Sequence, residues 1–327
     1  MVGWWFVLLL LILLLIYFLI GTSLCRWVLH QDSFPDSIRM GAYYTGYIPM
    51  MIGSNSPDEI KTKYGFSLYG LQKESTLMKC FTLVDDYEPS LVRVMKEYFG
   101  CDTTFVDVGA NEGYFTLLAA KKGCKVYAVE PSQNNLKILS NNVAKNNYKP
   151  YVTILPYAAG NKNTNVTFHE SSLNGMWSSV STGGKTNLLS SAVTVEMKCL
   201  QDIIPEIPDI VKIDVEGFED AVIEGCLSWV IAKRTIWIIE MDDTTHHGIN
   251  LLHLFQSRGY NIATLVVDSA CLPGRIYELE KYIIGTTPVV GFRNFIFTPD
   301  DYQSDISSLD ICTSRDPCFE RVRHTLS

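Results

Sequence analysis

The sequence has no block of basic residues. Its formal charge is -8, with 27 Lys+Arg and 35 Asp+Glu spread along 327 residues. The positive footprint with which proteins hold a phosphate backbone is missing, which argues against nucleic acid as a partner. It also has no CxxC pair and no His/Cys cluster at zinc-ligand spacing. The nine cysteines, at positions 25, 80, 101, 124, 199, 226, 271, 312 and 318, lie scattered, so no structural zinc site is expected. Cys312 and Cys318 are close enough to close a small loop in an oxidising compartment, but the pair reads better as isolated reduced thiols and does not settle the compartment.

The amino terminus lacks the basic start and small-residue cut of a cleaved signal peptide. What stands there is Val2 to Ile20, an unbroken apolar run without charge. At about 1.5 Å per residue it spans a hydrocarbon core of about 30 Å, and it predicts an uncleaved, single-pass membrane anchor. Trp4, Trp5 and Trp27 sit near its ends, where aromatic rings favour the interface. Arg26 and Arg39 follow the run, which weakly favours a cytoplasmic domain. Asn165-Val166-Thr167 is a glycosylation acceptor if the domain is luminal, so the side of the membrane stays open.

Nearly half of the residues, 47%, are apolar, enough to bury one large core. From about position 25 to 76 the chain carries Pro35, Pro49 and Pro57 without a sustained period, as a stalk and cap would. Residues 77–300 then alternate short apolar runs with helical stretches, the signature of βαβ units and a largely parallel sheet. Strands are predicted at 104–108, 125–130, 152–157, 210–214, 235–241, 261–267 and 294–298. Helices are predicted at 89–98, 114–122, 133–146, 219–224 and 250–258. Between the third and fourth core strands lies an insertion with strand-like runs at 165–170 and 192–198, and the tail from 301 to 327 carries no motif.

The first core strand ends in Asp107, Gly109, Ala110, Asn111 and Gly113, then a helix begins, so the backbone can approach a ligand at the strand's carboxyl end. Glu130 follows the second strand about twenty residues on, where a carboxylate accepts bonds from ribose hydroxyls. A dinucleotide fingerprint reads GxGxxG, with a third glycine for close helix packing and free N–H groups for the pyrophosphate, whereas here the order is GxNxG. S-adenosylmethionine has no phosphate and carries an ammonium and a carboxylate, which Asp107 and Asn111 suit better.

Three stretches, FVDVGANEGYFTLLAA, VYAVEPSQNNLKILSNNV and DIVKIDVEGFEDAVIEG, resemble the FkbM-type methyltransferase family of class I S-adenosylmethionine-dependent enzymes. Weaker likenesses are YEPSLV, the Ala158-Ala159-Gly160 turn and NFIFTP, so the resemblance spans roughly Asp86 to Pro299. The chain departs from the family at Leu200-Gln201-Asp202, where the family usually reads LDD. The resemblance implies a Rossmann-like α/β sheet, mostly parallel with its last strand antiparallel. It also implies S-adenosyl-L-methionine as cofactor, held by Asp107, Gly109, Ala110, Asn111 and Gly113 at the methionine part and by Glu130-Pro131 at the ribose. Ala158 would meet the adenine edge, and Asp214, Glu216 and Gly217 match the motif beside the reactive methyl.

Methyl transfer is an in-line displacement, so alignment and removal of the acceptor's proton matter most. Asp214, on the ligand-facing rim, is the first candidate for that work and Glu216 the second; His246 is the better placed of the adjacent pair His246 and His247. Glu219 and Asp220 read as acids at a helix N-terminus; Glu240, Asp242 and Asp243 could join Asp214 as oxygen ligands of a divalent cation, but a solvated acidic turn is the favoured reading. No Asn/Asp-Pro-Pro-aromatic tetrad follows the fourth strand. A hydroxyl acceptor on a glycan, a lipid-linked molecule or a small metabolite therefore fits better than a nucleobase amine. The alternative is a membrane-tethered binding module that keeps the fold without turnover.

Overall fold

The computed structural model describes residues 58–70, 81, 87–171, 179–180, 190–242, 245–265, 279–281 and 292–300. The expected anchor, the tail, and Cys312 and Cys318 lie outside them. Among the described residues no helix is long and apolar enough to cross a membrane.

A small hairpin of β1 (Glu59–Lys61) and β2 (Ser67–Tyr69) precedes helix α1 (Pro89–Tyr98). The core then alternates β3 (Thr104–Val108), α2 (Tyr114–Lys121), β4 (Lys125–Val129), α3 (Gln133–Lys145) and β5 (Val152–Leu155). An insertion follows, made of β6 (Ala158–Ala159), β7 (Thr164–Ser171), β8 (Ser179–Val180) and β9 (Ser190–Lys198). The chain resumes with α4 (Leu200–Ile203), β10 (Ile210–Ile213), α5 (Glu219–Glu224), α6 (Leu227–Ala232) and β11 (Ile236–Asp242). It continues through α7 (His246–Ser257), β12 (Tyr260–Leu265), β13 (Leu279–Lys281) and β14 (Phe292–Pro299).

The central sheet runs in the order β13-β12-β14-β11-β10-β3-β4-β5. Strands β11, β10, β3, β4 and β5 pair in parallel, and β14 lies antiparallel between β11 and β12. This is the mostly parallel sheet with an antiparallel last strand that the motifs implied.

Period-two alternation divides the core between the two faces of the sheet. Phe105, Ile210, Ile238 and Ile296 pack against Leu91 and Met95 of α1, Leu117 and Leu118 of α2, and Leu139 of α3. Val106, Val211, Trp237 and Ile239 pack on the other face against Val222 of α5, Trp229 of α6 and Phe255 of α7. Three-layer burial of this kind explains why the central strands read as nearly continuous apolar runs.

Three features depart from the sequence reading. The stretch assigned to an irregular cap contains the β1–β2 hairpin, which docks on α3: the Ser67 N–H donates to Asn146 Oδ1 at 2.8 Å and the Tyr69 N–H to Asn142 Oδ1 at 2.7 Å. Two asparagines thus satisfy an edge that the stretch's own pattern leaves unsignalled. Helix α7 starts four residues before the predicted helix, because the Thr245 hydroxyl caps it by accepting the Gly248 N–H at 3.1 Å. Cys101 is disulfide-bonded, which its isolated place in the sequence does not signal, since pairing depends on approach in space. Cys124, Cys199 and Cys226 are buried free thiols.

The insertion forms its own sheet, β6-β9-β7-β8. Its departing strand β6 lies beside its returning strand β9, and the Gly160 N–H donates to the Lys198 carbonyl at 3.0 Å.

Candidate active site

The loop after β3 rests on both neighbouring strands. The Gly109 and Ala110 N–H groups both donate to the Val129 carbonyl, at 3.0 and 3.1 Å, and the Asp214 N–H donates to the Val108 carbonyl at 3.0 Å. Gly109 has φ 79°, and a β-carbon there would stand 1.9 Å from the Asp214 carbonyl oxygen. Left-handed conformations recur along this rim, at Glu88 (φ 43°), Asn111 (φ 51°) and Glu216 (φ 56°). Such strain in residues with a β-carbon is characteristic of sites that must aim groups at a ligand.

Glu130 is 4% exposed. Its Oε2 accepts the Asn111 N–H at 2.8 Å, and its Oε1 accepts the Ser132 N–H at 2.8 Å and the Asn135 side-chain amide at 3.4 Å. Burial nevertheless pushes the carboxyl from its ordinary 4.5 up to about 7, against those three hydrogen bonds. Since a raised carboxyl binds its proton more tightly in the folded chain, its stabilising contribution is complete below 4.5. It fades as pH rises through about 7. Glu130 should therefore cost the ligand-free domain about 3 kcal/mol of stability across that interval. Urea unfolding of the wild type and Glu130→Gln at pH 4.5 and 7.5 checks this: the glutamine variant should lose much less over the same range.

Asp107 is 1% exposed. Its Oδ2 accepts the Thr116 hydroxyl at 2.6 Å, and its Oδ1 has no hydrogen-bond partner among the described residues. Burial raises its carboxyl, with Lys212 and Thr116 opposing.

On β10 the same face carries Lys212, 1% exposed, whose Nζ donates to Asp214 Oδ2 at 2.9 Å and lies 4.9 Å from the centre of the Phe115 ring. Burial disfavours its charge, yet Asp214, Glu88, Asp107 and Glu240 together raise its proton affinity. Glu88 caps α1 by position only: its side chain makes no cap bond and instead accepts from the Asn294 side-chain amide at 3.3 Å. Glu240, beyond the register pair Ile213–Ile239, is raised well above the carboxylate range, first by Asp214 and then by burial.

The other candidates are placed as follows. Asp214 is half-buried at the rim, while Glu216, exposed over the residue as a whole, has its carboxyl pushed up to about 8, first by burial of that group and then by Asp214. Pro131 is half-buried beside Glu130, and Ala158 is buried in β6. Glu219 bonds the Gly217 N–H at 2.8 Å and Asp220 the Ala221 N–H at 2.8 Å, so both serve the start of α5. His246 is exposed and pairs with Asn250 at 3.1 Å, whereas His247 pairs through Nδ1 with Asp220 at 2.5 Å. His247 also lines a cleft of about 690 Å³ between α5 and the insertion, with Lys162, Met197, Gly217, Phe218 and Asp220. That cleft begins at Gly217 and does not include the loop from 107 to 113. Asp243 lies outside the described residues, and among those described no His/Cys/Asp/Glu group is arranged to hold a metal ion.

Lys212 and Asn294 were not singled out from the sequence, and Glu240, read there as part of a solvated acidic turn, instead lies half-buried in β11 beside Asp214. The available signal was a lysine inside an otherwise apolar, doubly covered strand, Ile210-Val211-Lys212-Ile213, which must carry a partner wherever it is buried.

Residues 107–262 match the family model described as the methyltransferase FkbM domain. The chain carries an FkbM methyltransferase domain. Its cofactor is accordingly S-adenosylmethionine. No curated protein matches the chain. Among solved structures it is similar to an FkbM methyltransferase from Methylobacillus flagellatus, at 15% identity and TM-score 0.42, over 85% of this chain and 58% of that one. The chain thus spans well under two thirds of that protein's length. It is also similar to a precorrin-6y C5,15-methyltransferase from Geobacter metallireducens, at 13% identity and TM-score 0.33, over 64% and 85% of the two chains. An rRNA methylase from Streptococcus thermophilus gives 10% identity and TM-score 0.38, over 64% and 93%.

The donor set of this FkbM domain fits that cofactor. Glu130 Oε2 receives one N–H and keeps a lone pair for a ribose hydroxyl, and the partnerless Asp107 Oδ1 suits the ammonium of the amino-acid end.

Proposed function

We propose that the protein is a membrane-anchored O-methyltransferase acting on a hydroxyl of a glycan, a lipid-linked molecule or a small metabolite. The observation that carries the reading is the rim where Glu130, the loop 107–113 and Asp214 meet, with Gly109 seated on the Asp214 carbonyl. When bound, S-adenosylmethionine supplies an activated methyl group on a sulfonium. Glu130 and the Asn111 N–H orient the ribose side, Asp107 holds the amino-acid end, and Asp214, fixed by Lys212, orients the acceptor oxygen. Glu216 and the His247–Asp220 pair stand on the acceptor side of the rim, His247 in place of the neighbouring His246, because it faces the cleft.

The apolar run from Val2 to Ile20 supports the anchor. An exposed Asn165 on β7 and the disulfide at Cys101 support a domain on the oxidising side of the membrane. Both outweigh the weak bias of Arg26 and Arg39.

The test uses the full chain in detergent with methyl-labelled S-adenosylmethionine and membrane, glycan and small-molecule fractions as acceptors. The wild type should bind the label and pass it to one fraction. Glu130→Ala should lose binding, and Asp214→Asn should bind but transfer little. Label bound equally by Glu130→Ala would sink the site assignment, and binding without transfer to any fraction would favour a silent binding module. In the same cells, sedimentation with membranes and a glycosidase-sensitive shift lost in Asn165→Gln check the anchor and its orientation.

A further inference from the structure

Charge on the sheet rim is out of balance. Asn294 is registered with Glu240, and Lys212 with Asp107, so Asn294, Glu240, Asp214, Lys212 and Asp107 follow one another across β14, β11, β10 and β3. Glu88 closes over them from the start of α1 and accepts from Asn294. Lys212 is the cation acting on this row among the described residues, and it faces four carboxylates: Asp214 by direct contact, and Glu88, Asp107 and Glu240 at longer range. Glu216 adds a fifth at the exposed edge.

Carboxylates removed from water cost several kcal/mol each unless a counter-charge or a donor compensates them. One lysine cannot compensate four. The row shows the shortfall in two independent ways. Asp107 Oδ1 is wholly buried and partnerless among the described residues. Glu240 holds its proton well above the ordinary range because Asp214 stands beside it. A positively charged group arriving at this rim would meet acceptors already in place.

We infer that this carboxylate row distinguishes the sulfonium form of the cofactor from the neutral thioether that methyl transfer leaves behind, holding the charged form more tightly. The inference rests on the cofactor assignment of the adjoining loop. Both forms share the adenosine and the amino-acid end, so contacts made by Glu130 and by the loop cancel in the comparison. What remains is one unit of charge, read by Asp214, Glu240 and Glu88, with Lys212 opposing. Spent product is thereby weakened relative to the donor, which favours its exchange.

Isothermal titration of the full-length chain with S-adenosylmethionine, S-adenosylhomocysteine and sinefungin tests this, since sinefungin carries an amine cation where the methyl sulfonium stands. At pH 7.5 the two cationic ligands should bind at least tenfold more tightly than S-adenosylhomocysteine. Glu240→Gln should narrow that gap at least threefold by weakening the cationic ligands, leaving S-adenosylhomocysteine within twofold of wild type. Glu88→Gln, on a different element, should narrow it as well, which guards against a folding defect in the first variant. S-adenosylhomocysteine binding as tightly as S-adenosylmethionine, or a gap unchanged in both variants, would overturn the inference alone. Absence of binding by all three ligands would overturn the cofactor assignment and the inference with it.

Discussion

Lys212→Met should lower the stability of the domain by about 3–5 kcal/mol, the usual cost of removing one partner of a buried ion pair. Methionine matches the length of the lysine stem and keeps its packing on Phe115, so volume is a minor part of the effect. The loss comes from the carboxylates: Asp214 forfeits a 2.9 Å partner, and Glu88, Asp107 and Glu240 lose the cation that faces them. The penalty should depend on pH in a definite direction. Asp107 and Glu240 are already raised in the folded chain, and removing the cation raises them further. A raised carboxyl contributes stability at low pH that disappears as pH climbs through its folded value. The variant should therefore be closest to wild type in acid and furthest from it above neutrality. Urea unfolding at pH 5 and pH 8 measures both. A difference under about 1 kcal/mol at both values would show that Lys212 is dispensable. Adding Asp214→Asn to the variant should restore part of the loss, because the amide needs no counter-charge.

Gly109→Ala should be the most damaging change in the cofactor loop. The residue has φ 79°, which costs an L side chain about 1–2 kcal/mol. Its added β-carbon would also stand 1.9 Å from the backbone oxygen of Asp214. Backbone cannot swing aside as a side-chain tip can, so β3 and β10 must part at the point where the cofactor is held. Stability should fall by about 3 kcal/mol or more, adding steric displacement to conformational strain, and affinity for S-adenosylmethionine should drop at least a hundredfold. Gly217→Ala is the control. It has φ 97° with nothing within 4 Å of the added carbon, so it should cost only the conformational part, about 1 kcal/mol. Thermal unfolding and titration of the two variants side by side check the contrast. Equal losses would show that left-handed geometry alone, and no collision, governs both positions.

The sequence was most readable where burial imposes a period. Strands β3, β10 and the parallel sheet were legible because both faces of the sheet are covered, and Asp107 and Glu130 because each ends a strand in a fixed relation to a turn. The hairpin β1–β2 escaped notice: each strand has three residues, and its register is held by Asn142 and Asn146, some seventy residues away in the chain. The start of α7 was misjudged because a single threonine cap set it. In the site, Glu88, Glu240 and Asn294 come from three elements far apart in sequence and gain meaning only when the sheet registers them. Lys212 carried a local signal, a charge within an apolar strand, but its partners could not be named without the fold. That His247 and not His246 lines the cleft is a matter of helix phase, which adjacent residues in a sequence do not reveal.

The two ends of the insertion meet at the ladder between Ala158–Ala159 and Met197–Lys198, while the Ser132 hydroxyl, at the cap of α3, bonds Glu170 of β7 at 2.7 Å. Such a module has a narrow stem and a few lateral ties, the others being Asn161 to Glu224 at 2.8 Å and Asn163 to Asp202 at 2.9 Å. It can be exchanged, as a cassette, for the corresponding segment of another methyltransferase without cutting the central sheet, provided the incoming strand offers an acceptor to Ser132.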